Sequence, residues 1–216
     1  MRAAELIAPL IFRHTDMPIE DPGPGEVQVR IEAVGVCGSD LHAYTEGAVG
    51  SAPNVYPMVL GHEPAGRIVK TGAGVTGLAA GDRGALEPAL YCYHCEFCLS
   101  GHHNVCANIR FLSNPHHPGF FRELVNVPMV NFLPIPTGMS FNEAALAEPL
   151  AIAVHSLTSM GAFDLFPKRL PNLASVLLPC SRVAPHRTPC DRLPTRPTAS
   201  RCRRTDEASR SMRRCR

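Results

Sequence analysis

No glycine follows Gly161 and no aromatic residue follows Phe166 in this chain of 216 residues. The first absence excludes a glycine-rich phosphate-binding turn from the last quarter of the sequence, because such turns need positive φ and a close backbone approach. The second removes the stacking platforms with which single-stranded nucleic acid is held. No stretch approaches the ~18 uncharged apolar residues of a membrane helix. The opening Met1-Arg2-Ala3-Ala4-Glu5 leads into short apolar pieces broken by Pro9 and Arg13, unlike a secretory signal. A cytoplasmic, reducing location without a membrane partner is therefore expected. There, closely spaced cysteines read as metal ligands before they read as disulfides.

Composition changes abruptly along the chain. Residues 1–166 carry 8 Lys+Arg against 16 Asp+Glu, whereas residues 167–216 carry 13 against 3. The two parts nearly cancel to the formal net charge of +2. Seven of the 21 prolines and four of the nine cysteines lie in the last 50 residues. Two differently composed polypeptides are joined near Phe166.

In the first part, Gly25–Glu32 alternates apolar and polar residues at the period of a half-buried strand, and Pro22-Gly23-Pro24-Gly25 supplies the turn before it. Gly66–Lys70 predicts a second strand, and shorter pieces lie at 85–90, 123–127 and 132–135. Many short strands with frequent turn signals predict a mainly β fold with some helix, an antiparallel barrel or sandwich. Helical signals come late. Ser140-Phe141-Asn142-Glu143 fits a capping box. A second helix is expected to start at Pro149 and end at Gly161, with Leu150, Val154, Leu157 and Met160 as its buried stripe. No internal repeat is present.

The sharpest motif is Cys92-x2-Cys95-x2-Cys98-x7-Cys106. Four thiolates from one short loop can wrap a tetrahedral Zn²⁺ and leave no open position, which makes a structural site. An iron–sulfur cluster is the rival, but the usual ferredoxin run has a shorter last gap and a following proline. His94, His102 and His103 read as surface histidines beside a shell the cysteines already complete. A second constellation is dispersed: Cys37 after the first strand, His62 and Glu63 before the next, and Glu148 at the late helix. One Cys, one His and a carboxylate can supply the three protein ligands of a catalytic zinc with one position left open. Spacing alone does not bring residues 37, 62 and 148 together. Taken singly, Cys37 also reads as a buried small hydrophobe and His62 as a hydrogen-bonded core histidine.

Gly35–His42, Gly61-His62-Glu63-Pro64-Ala65-Gly66, Gly81-Asp82-Arg83 and the four-cysteine loop occur in an order that resembles the zinc-dependent medium-chain dehydrogenase/reductase (alcohol dehydrogenase) superfamily. Glu148-Pro149-Leu150 with His155 is similar to its sorbitol, xylitol and L-arabinitol dehydrogenase branch. The resemblance covers nearly all of residues 1–160. It implies a GroES-like catalytic domain over residues 1–148 and NAD-linked oxidation of a polyol or alcohol. It implies Cys37, His62 and Glu63 as ligands of a catalytic zinc, with Glu148 ligating the metal or holding its water. Ser39 and His42 match the proton-relay hydroxyl and imidazole. Tyr44 falls in the substrate-side loop, where a packing role is equally open.

The resemblance also implies a Rossmann domain after a helix over 149–166, and the pattern stops there. The G-x-G-x-x-G turn and its acidic ribose partner are missing from the sequence given, so it carries no cofactor-binding residues for NAD. Gly72-x-Gly74-x-x-Gly77 has the spacing but lies between strands of the β domain, and a lone match carries little. The family's homo-oligomers assemble largely through that further domain. Residues 167–216 lack apolar periodicity and are expected to be disordered. They read as a shifted reading frame or a retained intron, with a genuine basic tail as the rival. Two functions follow: a truncated polyol dehydrogenase, inactive alone, or a non-enzymatic zinc-binding module whose tail recruits an anionic partner. Nucleic acid is not expected to be that partner, given the missing aromatics.

Overall fold

The computed structural model describes residues 1–114 and 116–159. The expectations for Met160 and for the tail at 167–216 lie outside the described residues. A hairpin of β1 (Arg2–Ala8) and β2 (Ile11–Asp16) leads to β3 (Glu26–Gly35) and α1 (Gly38–Glu46). A small hairpin, β4 (Ala48–Val49) with β5 (Ala52–Pro53), precedes β6 (Met58–Val59) and β7 (Glu63–Thr71). Then come β8 (Arg83–Leu86), β9 (Ala89–Leu90), α2 (Glu96–Leu99) and β10 (Arg110–Phe111). The described part closes with β11 (Leu124–Pro128), β12 (Phe132–Pro134), α3 (Phe141–Ala145) and α4 (Ala147–Ser159).

The main sheet is antiparallel in the order β11-β3-β7-β8-β12, and a second sheet runs β2-β1-β6. The alternation read at Gly25–Glu32 becomes β3. Val27 and Val29 are fully buried and face Val127 and Val125 across the ladder with β11. Burying each of these side chains contributes about 1.5–3 kcal/mol. They form one core with Ile68, Leu86, Phe120 and Phe132. The mainly β expectation holds. Among the described residues, no helix is long and apolar enough to cross a membrane.

Two features of β3 and β7 position the site. Their register slips between Ile31 and Ala33, after which Gly35 stands opposite Glu63. A Cβ at Gly35 would overlap the Glu63 carboxylate, so any larger residue there would push that carboxylate from its place. The main chain reverses at Gly61 with φ +88, where a Cβ would sit 2.5 Å from Phe121.

The helices depart from expectation in two places. α1 was not anticipated. Its N-cap is Cys37, outside the Ser/Thr/Asp/Asn set that marks helix starts, although Asp40 completes a capping box and Gly47 closes the helix at φ 72. The late helix begins at Ala147 rather than Pro149. The stripe expected to be buried is not: no described residue of α4 is buried, and Leu150, Ile152 and Leu157 are exposed. The apolar spacing marks what the helix could cover, and among the described elements it lies mainly against β7 and α3. The Ser140 capping box is present, with Glu143 N donating to Ser140 Oγ at 3.2 Å and Ser140 N to Glu143 Oε2 at 2.7 Å.

Candidate metal centres

Residues 91–109 leave β9, carry the four cysteines, and return as β10. The excursion is closed at its base by Leu90↔Arg110 and Ala89↔Phe111. Four sulfurs at the Zn–S distance of a tetrahedral site lie about 3.8 Å apart along each edge. The observed Sγ separations are 3.5 Å for Cys92–Cys106, 3.9 Å for Cys95–Cys106 and 4.0 Å for Cys92–Cys98. A disulfide would need about 2.05 Å, and all four cysteines are free. The donor set therefore fits one divalent, thiophilic cation and can hold it.

Backbone amides already point at the sulfurs. Cys95 N donates to Cys92 Sγ, and Cys92 N and Asn108 N donate to Cys106 Sγ, each at 3.4 Å. The His94 amide, then the Asn108 side chain, pull the Cys92 thiol down to about 5. The Cys98 and Ala107 amides lower Cys95 in the same way. Burial, with Cys106 beside it, pushes Cys98 up to about 12. Cys92 and Cys95 are thus poised as thiolates while Cys98 holds its proton, and a divalent cation would neutralise the crowded sulfurs. His94 and His102 are exposed as expected. His103 is a correction: it is half-buried, its Nδ1 is enclosed, and its ring packs on Tyr91 and Tyr93 at 5.6 and 5.2 Å.

The dispersed constellation comes together in part. Cys37 caps α1 at the end of β3, while His62 and Glu63 sit at the turn into β7, 8% and 7% exposed. One ligand atom of each lies within 4.8 Å of the others, so the three can share a metal. Glu148 stays outside that group but is near enough to feel the charges of His62 and Glu63. Burial, and then the charges of Glu63 and Glu87, hold its carboxyl above the ordinary range, against the pull of His62.

Ser39 is half-buried in the first turn of α1. His42 is exposed on the same helix, with Nδ1 2.8 Å from Glu46 Oε1. Tyr44 packs: its ring stacks on Phe12 at 5.4 Å and its hydroxyl donates to Leu10 O at 3.3 Å.

Three residues escaped the sequence reading. Asp40 is 4% exposed and joins the two segments that carry the ligand set. Its Oδ2 accepts from Cys37 N and its Oδ1 from Gly61 N, both at 3.1 Å, and Oδ1 lies 3.6 Å from His62 Nδ1. Burial works to lower the His62 pKa, but the Asp40 carboxylate, then Cys37, outweigh it and raise it to about 9. Holding the second ring nitrogen of a metal-ligating imidazole is the usual task of such a carboxylate. Its place three residues after Cys37 is that of a capping-box acid, but with a cysteine at the N-cap the sequence carries no such signature. Glu87 was not legible; its Oε1 accepts from Ala89 N and Tyr91 Oη, and burial raises its pKa. Phe111, on the strand that closes the cysteine loop, packs on His62 with ring centroids 5.6 Å apart.

Residues 23–137 match the family model described as the alcohol dehydrogenase GroES-like domain. Sorbitol dehydrogenase of Bacillus subtilis is 37% identical over 156 residues, covering 72% of this chain and 44% of that protein. L-arabinitol 4-dehydrogenase of Aspergillus niger is 40% identical over 138 residues, covering 64% and 36%. Among solved structures, galactitol-1-phosphate dehydrogenase from Escherichia coli superposes with a TM-score of 0.66 at 34% identity, over 73% of this chain and 44% of that one. The chain thus spans less than half the length of the relatives it matches.

Proposed function

Because the chain belongs to the alcohol dehydrogenase GroES-like domain family, we propose that residues 1–159 form the metal-holding, alcohol-binding part of a zinc-dependent, NAD-linked polyol dehydrogenase. The observation that carries this reading is the pairing of two unlike donor sets: four thiolates that close around one cation, and a Cys/His/Glu trio that leaves a coordination position open. Cys92, Cys95, Cys98 and Cys106 hold the structural zinc. Cys37, His62 and Glu63 hold the catalytic one, with Glu148 beside it as a further ligand or as the acceptor for a bound water.

Zinc held by Cys37, His62 and Glu63 would supply Lewis acidity to a bound alcohol, and a nicotinamide would supply the hydride acceptor. The chain's own residues do the rest. Asp40 fixes the His62 ring and ties α1 to the Gly61 turn, so the ligands keep their spacing. Ser39 would accept the alcohol proton as it gives up its own hydroxyl proton, which His42 would take and release toward solvent. With His42 Nδ1 donating to Glu46, Nε2 is the nitrogen left to accept that proton.

Metal counting tests the assignment. The wild-type chain is expected to carry two zinc ions and Cys37→Ala one, measured by elemental analysis alongside protein concentration. A Cys37→Ala variant that keeps the wild-type zinc content would contradict the second site.

A further inference from the structure

Neither donor set uses Glu87, although the fold fixes its backbone beside one of them. β8 pairs with β7 as Ala65↔Ala85, Gly66↔Gly84 and Arg67↔Arg83. Followed two residues past Ala85, the same register brings the Glu87 backbone alongside Glu63. On its other edge β8 pairs with β12, and Glu87 N continues that ladder by donating to Asn131 O at 2.8 Å. Asn131 is 1% exposed, and its Nδ2 clamps Glu87 O at 2.9 Å and Ala89 O at 2.8 Å. Leu112 N holds the following turn by donating to Pro88 O at 3.0 Å. Glu87 is therefore set between the strand that starts at Glu63 and the ladder that carries Phe111 onto His62.

The side chain is anchored as well. Oε1 accepts from Ala89 N at 3.2 Å and from Tyr91 Oη at 3.3 Å, while Oε2 has no hydrogen-bond partner among the described residues. Tyr91 directly precedes Cys92, so this anchor belongs to the cysteine loop. Glu63 is buried and Glu87 and Glu148 are half-buried. No Lys or Arg among the described residues forms an ion pair with any of the three. Glu148 is the group that feels both other acids: burial is the main cause of its raised carboxyl, and the charges of Glu63 and Glu87 add to it against the pull of His62. Carboxylates kept from water without Lys or Arg beside them repel one another, and a cation relieves that repulsion.

Resting on the assignment of Cys37, His62 and Glu63 as a metal site, we propose that Glu87 is a positioning residue of that site. Pinned by Tyr91 and the Ala89 amide, its negative charge favours a cation at the trio and steers Glu148 toward it. Glu87 is not itself a ligand, because the donor atoms that come together are those of Cys37, His62 and Glu63. Partners outside the ligand set commonly contribute about 10–100-fold to metal affinity. The anchor also gives the cysteine loop a second route to the trio, besides the packing of Phe111 on His62.

The test is titration of the full-length chain with cobalt(II) at neutral pH, followed by visible absorbance, with Glu87→Gln, Glu87→Asp and Cys37→Ala beside the wild type. The amide of Glu87→Gln keeps an acceptor for Ala89 N and Tyr91 Oη and removes only the charge, which separates charge from bracing. The bands missing from Cys37→Ala mark the trio. In Glu87→Gln those bands should reach half-saturation at about tenfold higher cobalt, while the four-thiolate bands saturate as in the wild type. Glu87→Asp keeps the charge and should recover part of the lost affinity. Without metal, Glu87→Gln should melt at or above the wild-type temperature, since one of several like charges is gone. Unchanged half-saturation of the trio in Glu87→Gln overturns the proposal and leaves the metal site standing. Equal weakening at both sites with a lower melting temperature marks a bracing role and overturns it too. A wild-type chain whose bands all persist in Cys37→Ala removes the metal site itself, and this inference with it.

Discussion

Replacing Cys98 with serine is expected to strip one zinc ion from the chain and to unfold the loop between β9 and β10. Apparent free energies of structural zinc sites run to roughly 10–16 kcal/mol at neutral pH, and that binding energy is also folding energy for the loop. The loop has little else to hold it: within residues 92–109 only Cys98 and Cys106 are buried. Cys98 is a costly position to replace, because it is buried and the serine hydroxyl is a poor zinc ligand. The consequence should reach the second centre. The ladder that closes the loop carries Phe111 against His62, so a loosened loop withdraws that packing. Two measurements check this together: zinc retained after challenge with a chelator, and amide exchange across residues 92–111. Retained zinc and unchanged exchange in Cys98→Ser would remove the structural-site assignment.

The second large effect is an absence of turnover. A chain of these 216 residues, loaded with zinc and given NAD and sorbitol or xylitol, is expected to form no NADH. Hydride transfer needs the nicotinamide held in near contact with the carbinol carbon, and orientation of that kind is worth roughly 7–11 kcal/mol, many decades in rate. Nothing among the described residues forms a dinucleotide cradle, and without a glycine after Gly161 the sequence offers no glycine-rich turn to build one. The assay is NADH absorbance with several polyols, with Cys37→Ala as the control. Steady NADH formation that disappears in Cys37→Ala would overturn this expectation.

What the sequence made legible was whatever repeats at a fixed local period or spacing. The period-two run at Gly25–Glu32 became β3 with Val27 and Val29 inward, and Cys92-x2-Cys95-x2-Cys98-x7-Cys106 became one sulfur cluster. What depended on distant partners was not legible. Cys37 and His62 meet because a register slip and Gly35 bring two strand ends together, and neither leaves a periodic trace. Asp40 was visible as a residue but not as the link between Cys37, Gly61 and His62, since that link exists only in three dimensions. The burial of α4 was over-read. Apolar spacing reports what a helix could cover, and α4 leaves Leu150, Ile152 and Leu157 exposed. The helix at 38–46 was missed because a cysteine took the place of the usual N-cap residue.

The central claim is that Cys37, His62 and Glu63 hold a metal with a position open to an alcohol. Cobalt(II) substitution tests it most directly, because the visible spectrum of cobalt reports a change of ligand at each site separately. Adding sorbitol or xylitol to the cobalt-loaded chain is expected to shift the bands that Cys37→Ala lacks, while the bands of the four-thiolate site stay in place. Bands that do not move at any polyol concentration, or that move equally in Cys37→Ala, would contradict the account.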